Sequence, residues 1–260
     1  MRPVEPRFLP EPDADREEME SLQRELAAAA RFTDDGCPTP EAVALETEPT
    51  RGDSGEPTGN GPIVVGIDQA FQDDVGVSAA VAIQDGAVID VSCGRWPLSI
   101  PYIPGLLAFR EGGPIVAALA GLSVDPDLLV LDGQGRIHYR EAGIATHVGV
   151  LYDVPAIGVA KNLLCGRPVR SLEEPLPAGT RVPIEADDAV SAPAGTVLGH
   201  AFQSRQYPNP AVRHVNPIYV SPGHRVGPST ATDLVAAMVT GYKLPAPTRL
   251  ADRAAADCKG

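Results

Sequence analysis

Lysine is nearly absent from this chain. Of 21 basic residues only Lys161, Lys243 and Lys259 are lysines, which leaves 18 arginines against 34 acids and a formal net charge of -13. Acidity of that size taken alone argues against a polyanionic partner, because phosphate binding draws its affinity from Lys and Arg that displace condensed counterions. Scarce lysine combined with excess acid has another reading, the surface of a protein adapted to high salt. The excess is uneven: residues 1–60 hold 15 acids and 6 bases, net -9, and residues 61–260 hold 19 acids and 15 bases, net -4.

Long apolar runs are also missing. Residues 63–67 and 128–131 meet charge well short of the roughly 20 residues that span a bilayer, so no membrane helix is expected. The N-terminal "MRPVEPRFLPEPDADREEMES" lacks the apolar centre and small-residue cleavage site of a signal peptide. The expectation is a cytoplasmic monomer. Cys37, Cys93, Cys165 and Cys258 contain no close pair, which excludes a zinc knuckle or redox dithiol by spacing and predicts reduced thiols. No internal repeat is visible.

What the chain does have is 43% apolar residues, enough to bury a sizeable core. Residues 13–30 place Met19, Leu22, Leu26 and Ala29 at spacings of three and four, an amphipathic helix. Residues 32–61, rich in Pro, Gly, Thr and acids without a period, read as a linker or mobile insertion that closes an N-terminal region, 1–61. A catalytic domain is expected over 62–245, followed by a polar tail, 246–260. "PIVVGIDQA" reads as a strand, and "VGVSAAVAIQDGAVIDVSCG" as two more joined at Asp85-Gly86, a hairpin dipeptide. "EGGPIVAALAGL" and "YREAGIATHVGVLYDV" read as helices; "DLLVLDG" and "PAIGVAK" read as buried strands. Further strands are expected at 182–186, 196–203 and 212–220, before a helix in "PSTATDLVAAMVTGY" with Ser229 or Thr230 near its N-cap. The order predicts an α/β fold, a mixed sheet with helices on both faces and an N-terminal helix besides.

Three acids stand where apolar segments give way to loops: Asp68 after "IVVGI", Glu111 after "YIPGLLAFR" and Asp132 after "LLVL". Ligands of open α/β sheets lie beyond the carboxyl ends of the parallel strands, where residues distant in sequence converge. Converging carboxylates repel one another and lose solvation, so they call for a cation; magnesium, with its preference for hard oxygens, waters and phosphate, is the natural one. Each residue alone also has an ordinary reading. Asp132-Gly133 suits a turn, Glu111 suits a helix start, and His138 and His224 suit hydrogen-bonded surface positions. Lys161 directly follows a buried strand, a place for phosphate contact or for a plain surface lysine.

Together "VVGID" (64–68), "PYIPGLLAFRE" (101–111), "DGQGRIH" (132–138), "GIATHVGV" (143–150), "IGVAK" (157–161) and "SPGHRV" (221–226) resemble the endonuclease V family, nucleases of RNase H-like fold that act on deaminated bases. The resemblance spans about residues 62–242. It implies Asp68, Glu111 and Asp132 as ligands of Mg2+, with Mn2+ as a substitute, His224 as an active-site histidine beside the metal and His138 at the edge of the cleft. Lys161 is implied at the phosphate or attacking water, and Tyr102 as a wedge filling the space left by the extruded base. Gly105, Leu107, Gly133 and Ile144 are implied around that base, hypoxanthine. Implied partners are DNA with deaminated bases and inosine-containing RNA. Gln69 and Ala70 stand where the family often has Ser or Thr and an aromatic, and Tyr139 stands where it usually has Pro. Another RNase H-like nuclease would need the acids but not "PYIPG"; a silent nucleic-acid binder would be expected to have lost an acid, and none is missing.

If the acidic surface reflects high-salt adaptation, lowering the salt leaves its self-repulsion unscreened. Far-ultraviolet circular dichroism followed from molar to low salt is expected to show loss of the fold; a signal indifferent to salt would rule the adaptation out.

Overall fold

The computed structural model describes every residue except Pro12, residues 52–58, Ser99, Tyr102 and Gly260. Ten strands form one mixed sheet in the order β1-β4-β3-β2-β5-β6-β10-β9-β8-β7. They are β1 (Thr50–Arg51), β2 (Val64–Gln72), β3 (Val75–Gln84), β4 (Ala87–Pro97), β5 (Leu128–Asp132), β6 (Ala156–Ala160), β7 (Arg167–Pro168), β8 (Arg181–Glu185), β9 (Val197–Phe202) and β10 (Ile218–His224). The helices are α1 (Arg16–Ala29), α2 (Leu107–Ala120), α3 (Ile144–Tyr152), α4 (Pro228–Ala237) and α5 (Ala246–Asp257). None among the described residues is long and apolar enough to cross a membrane.

β2, β3 and β4 form the expected antiparallel meander, with Asp85 and Gly86 both at positive φ in the β3–β4 turn. β2, β5 and β6 run parallel at the centre. Alternation along these strands splits the core in two. Val65, Ile67, Leu129 and Leu131 face α1, α2 and α3, while Val64, Leu128, Val130, Ile157 and Val159 face α4. α5 lies on the second face over β2 and β3, with Ala251 packed on Val81 and Ile83.

Several expectations need correction. Residues 246–260 are not a polar tail: Ala246, Pro247, Thr248, Ala251 and Ala255 are buried, and small residues with few apolar neighbours hid a packed helix. Residues 32–51 are not a mobile linker. Their carboxylates find fixed donors: Asp34 accepts from the N–H of Gly227 and the hydroxyl of Thr230, capping α4, and Glu48 receives Arg249 from α5. Val43 is buried beside α4, and β1 extends the sheet edge next to β4. α4 has Gly227 as its N-cap, with Ser229 and Thr230 in its first turn, near the cap as expected. The segment expected to be helical from Tyr139 bends through a loop, and α3 starts only at Ile144. Cys93 and Cys258, expected as free thiols, form a disulfide between β4 and the end of α5 with Cα atoms 6.4 Å apart. They stand 165 positions apart, so no local spacing could have shown it.

Gly66 of β2 admits α5: a Cβ there would lie 2.1 Å from the Pro247 carbonyl oxygen. Gly66→Ala therefore forces backbone apart and is expected to cost about 1–3 kcal/mol, read as a lower urea midpoint; an unchanged midpoint would contradict this packing.

Candidate functional site

The parallel register sets the site. Ile67 pairs with Leu131, so the next residue on each strand, Asp68 on β2 and Asp132 on β5, stand side by side. Asp132 in turn pairs with Val159 of β6, and Lys161 lies two residues on, on the same face. Its Nζ donates to Asp132 Oδ2 at 2.9 Å. Glu111, 6% exposed, comes from the second turn of α2. Three neighbouring elements thus bring together acids that are far apart in sequence.

Burial shapes their chemistry. Asp68 is 5% exposed; loss of solvent and then the charge of Asp132 push its pKa up to about 8. Burial raises Glu111 to about 7, against the pull of Arg110 and with some help from Asp132. Burial works against the charge of Lys161, but its hydrogen bond and attraction to Asp132 overcome this and hold its pKa above the usual value. The charge of Asp252, on α5, also raises both Asp68 and Lys161, which puts a fourth carboxylate at the same strand ends. Sequence reading missed Asp252 because it ended the domain at 245; the signal was an acid between Ala251 and Ala255 on a buried stripe.

Among the described residues no three His, Cys, Asp or Glu side chains are gathered closely enough to ligate one ion. Magnesium does not require three, since one or two carboxylates with waters and a phosphate suffice. Asp68, whose charge is held back by burial and by its neighbour Asp132, and Asp132 itself form an all-oxygen pair that fits that demand.

Beside the acids opens a cavity of about 310 Å³, in the size range of small-molecule sites. It brings Asp132, Lys161 and His138 together with Gly105, Leu107, Gly133 and Ile144. The main-chain N–H groups of Leu107, Ala108 and Ile144, in the first turns of α2 and α3, have no acceptor among the described residues, and neither helix has a side-chain cap. His138 is buried, and that burial pulls its pKa down to about 4. Its Nδ1 accepts the backbone N–H of Arg140 at 3.2 Å, so the proton of the neutral ring sits on Nε2, which donates to the Gly105 carbonyl at 3.0 Å. Tyr102 lies outside the described residues.

His224 is not at this site. It pairs with Ala156, where β6 begins, whereas Lys161 follows the end of β6, ~16 Å along the strand. Its Nδ1 accepts the backbone N–H of Arg31 at 3.2 Å and its Nε2 donates to Asp153 at 3.0 Å. Arg31 also pairs with Asp153, so His224 fastens the N-terminal segment to β10 rather than serving the acids.

An RNase H-like sheet whose acids meet at parallel strand ends beside a base-sized cavity is the frame of a nuclease. The model of the Endonuclease V family matches residues 50–253. Endonuclease V of the halophilic archaeon Halobacterium salinarum is 62% identical over 262 residues, covering 99% of each chain. The crystal structure of endonuclease V from Streptomyces avermitilis is 32% identical, covers 95% of this chain and 93% of its own, and superposes with a TM-score of 0.73. That from Ciona intestinalis, in complex with a 24mer DNA containing an inosine followed by a ribo-adenosine, is 24% identical with a TM-score of 0.68, covering 94% and 97%. The chain belongs to the endonuclease V family and is an endonuclease.

The raised acids give a pH signature. The pKa of Asp68 rises from 3.8 to about 8 and that of Glu111 from 4.5 to about 7. The folded protein therefore binds more protons than the unfolded chain between those limits, and the stability gained from protonation is complete below the unfolded values and lost as pH rises through the folded ones. In metal-free protein Tm is expected to fall from about pH 4 to about pH 8, and Asp68→Asn should flatten the fall. A slope unchanged in Asp68→Asn would show that the acids are not buried together.

Proposed function

We propose that this chain is a magnesium-dependent endonuclease that recognises hypoxanthine in nucleic acid, draws the base into the cavity and hydrolyses the second phosphodiester on its 3′ side, leaving a 3′-hydroxyl and a 5′-phosphate, as a step in DNA repair. The observation that carries it is a cavity lined by Asp132 and Lys161 together with Leu107, Ala108 and Ile144, whose main-chain N–H groups have no acceptor among the described residues. The inosine in the DNA bound to the Ciona protein supports the same substrate.

Extruding a base costs a few kcal/mol, less for a poorly paired one. Hypoxanthine then presents a carbonyl oxygen and a ring N–H where adenine presents an amine and an acceptor. The free N–H groups of Leu107, Ala108 and Ile144 suit the carbonyl and meet the adenine amine donor to donor. In this reading Tyr102 is the wedge that stacks in the vacated space. Lys161 lines the cavity and is hydrogen-bonded to Asp132, and in this reading its ammonium holds the phosphate next to the base. Asp68 and Asp132 would hold Mg2+, or Mn2+ in its place, with Glu111 and Asp252 as further acids around it. When bound, the ion supplies a Lewis acid for activating water and for stabilising the departing oxygen. Without a cation Asp68 keeps its proton near neutrality. His138, neutral at working pH, holds the cavity wall and carries no charge to the reaction.

An RNA strand carrying inosine is the second reading, favoured by the ribo-adenosine after inosine in the Ciona complex. The test is cleavage of end-labelled DNA and RNA strands, each with one hypoxanthine, beside an unmodified control, with magnesium at high salt. A cut one nucleotide past the lesion is expected, with its rate falling at least a hundredfold in Asp132→Ala, on the order of the loss of a key electrostatic group. Equal cutting of the control, or no cutting by folded wild type, would overturn the reading.

A further inference from the structure

One side chain of α1 reaches the cavity. Gln23 is 1% exposed, on the same stripe as Met19 and Leu26, and lines the cavity wall. Its Nε2 donates to the Gly105 carbonyl at 2.7 Å and to the Ala142 carbonyl at 3.5 Å, and its Oε1 accepts from Arg140 Nη1 at 3.1 Å. The other terminal nitrogen of Arg140 pairs with Glu20, one turn back on α1, at 2.7 Å. A single amide therefore ties the loop before α2 to the loop before α3. These are the loops that lead into the helix turns offering Leu107 and Ile144.

The two loops meet at the Gly105 carbonyl. Gly105 sits at φ +83°, a conformation that suits glycine, and a Cβ there would press on Tyr139 at 3.1 Å. Its oxygen accepts from Gln23 on one side and from His138 Nε2 on the other. A carbonyl oxygen has two lone pairs, and both are taken. The carbonyl thus has nothing left to offer the amine of a purine, while the unpaired N–H groups nearby remain open to a keto oxygen. Were Gln23 absent, one lone pair would be free on the wall of the cavity, in reach of an amino group.

We propose that Gln23 is a specificity-determining positioning residue: it saturates the Gly105 carbonyl together with His138, denies an acceptor to amino-bearing purines, and holds the two loops at the spacing that a keto purine fits. The assignment rests on the base-pocket reading above. It makes the N-terminal helix part of the recognition apparatus, although α1 lies upstream of the acids and of every main-chain donor that meets the base.

The test compares single-turnover cleavage of strands carrying hypoxanthine or adenine at one position by wild type, Gln23→Leu and Gln23→Glu. Gln23→Leu removes both polar ends; Gln23→Glu keeps the acceptor for Arg140 and removes the donor to Gly105 and Ala142, so it carries the test if the leucine variant fails to fold. The hypoxanthine-to-adenine preference is expected to fall about tenfold, the worth of one hydrogen bond. That fall should come from a raised half-saturating concentration for hypoxanthine and faster cutting of adenine, with the maximal rate on hypoxanthine held within about twofold. A general loss of structure would instead lower both strands together. An unchanged preference in a folded variant overturns the role of Gln23 and leaves the pocket reading standing; a wild type without preference overturns both.

Discussion

Two carboxylates held side by side, Asp132 at the end of β5 and Asp68 midway along β2 where its parallel pairing with β5 stops, are the constraint around which the rest of this molecule is arranged. The register that pairs Ile67 with Leu131 leaves Asp68 and Asp132 no alternative to being neighbours. Buried like charges are tolerated only with a counter-charge or a retained proton. The structure uses both: Lys161 donates to Asp132, and burial lifts Asp68 to about 8. Glu111 and Asp252 add acid from α2 and α5 instead of relieving it, an arrangement that costs stability unless a cation is brought in.

Bringing α5 to the strand ends takes several devices at once. Gly66 lets the helix start against the sheet, the Cys93–Cys258 disulfide fastens its far end, and Glu48 of the N-terminal segment grips Arg249. That segment is acidic, and part of its acidity is structural: Asp34 caps α4, Asp35 pairs with Arg31 and Arg225, and Glu48 pairs with Arg249 and Arg253. High-salt composition and fold are interleaved here, since the carboxylates that make the surface acidic also tie down the helix carrying Asp252. α1 completes the opposite wall through Gln23, so material before β2 supports the site from two sides.

Most of the sheet was legible because its strands are apolar runs with a period of two, and because Asp85-Gly86 marks the hairpin. Asp132 was legible as a charge ending such a run; Asp68 and Glu111 were picked out as charges after apolar segments, though the first lies within β2 and the second within α2, and the loop residues around the cavity through resemblance. His224 was misplaced because "SPGHRV" gives no indication of which end of an antiparallel strand it occupies; only the pairing with Ala156 shows that. α5 and the segment 32–51 were misread for one reason. Their order comes from ion pairs and close approach of small residues across long sequence separations, and neither leaves a hydrophobic period. Gln23 was hidden within an apolar stripe where a polar residue reads as a flaw.

The central claim is that the acids at the strand ends form one cation site beside one base cavity. Anomalous diffraction from crystals grown with manganese and a hypoxanthine-containing strand tests it directly. The expected result is a manganese peak against the carboxylates of Asp68 and Asp132, with the base in the cavity between Leu107 and Ile144. A peak elsewhere, or an occupied cavity with no ion at the acids, would contradict it.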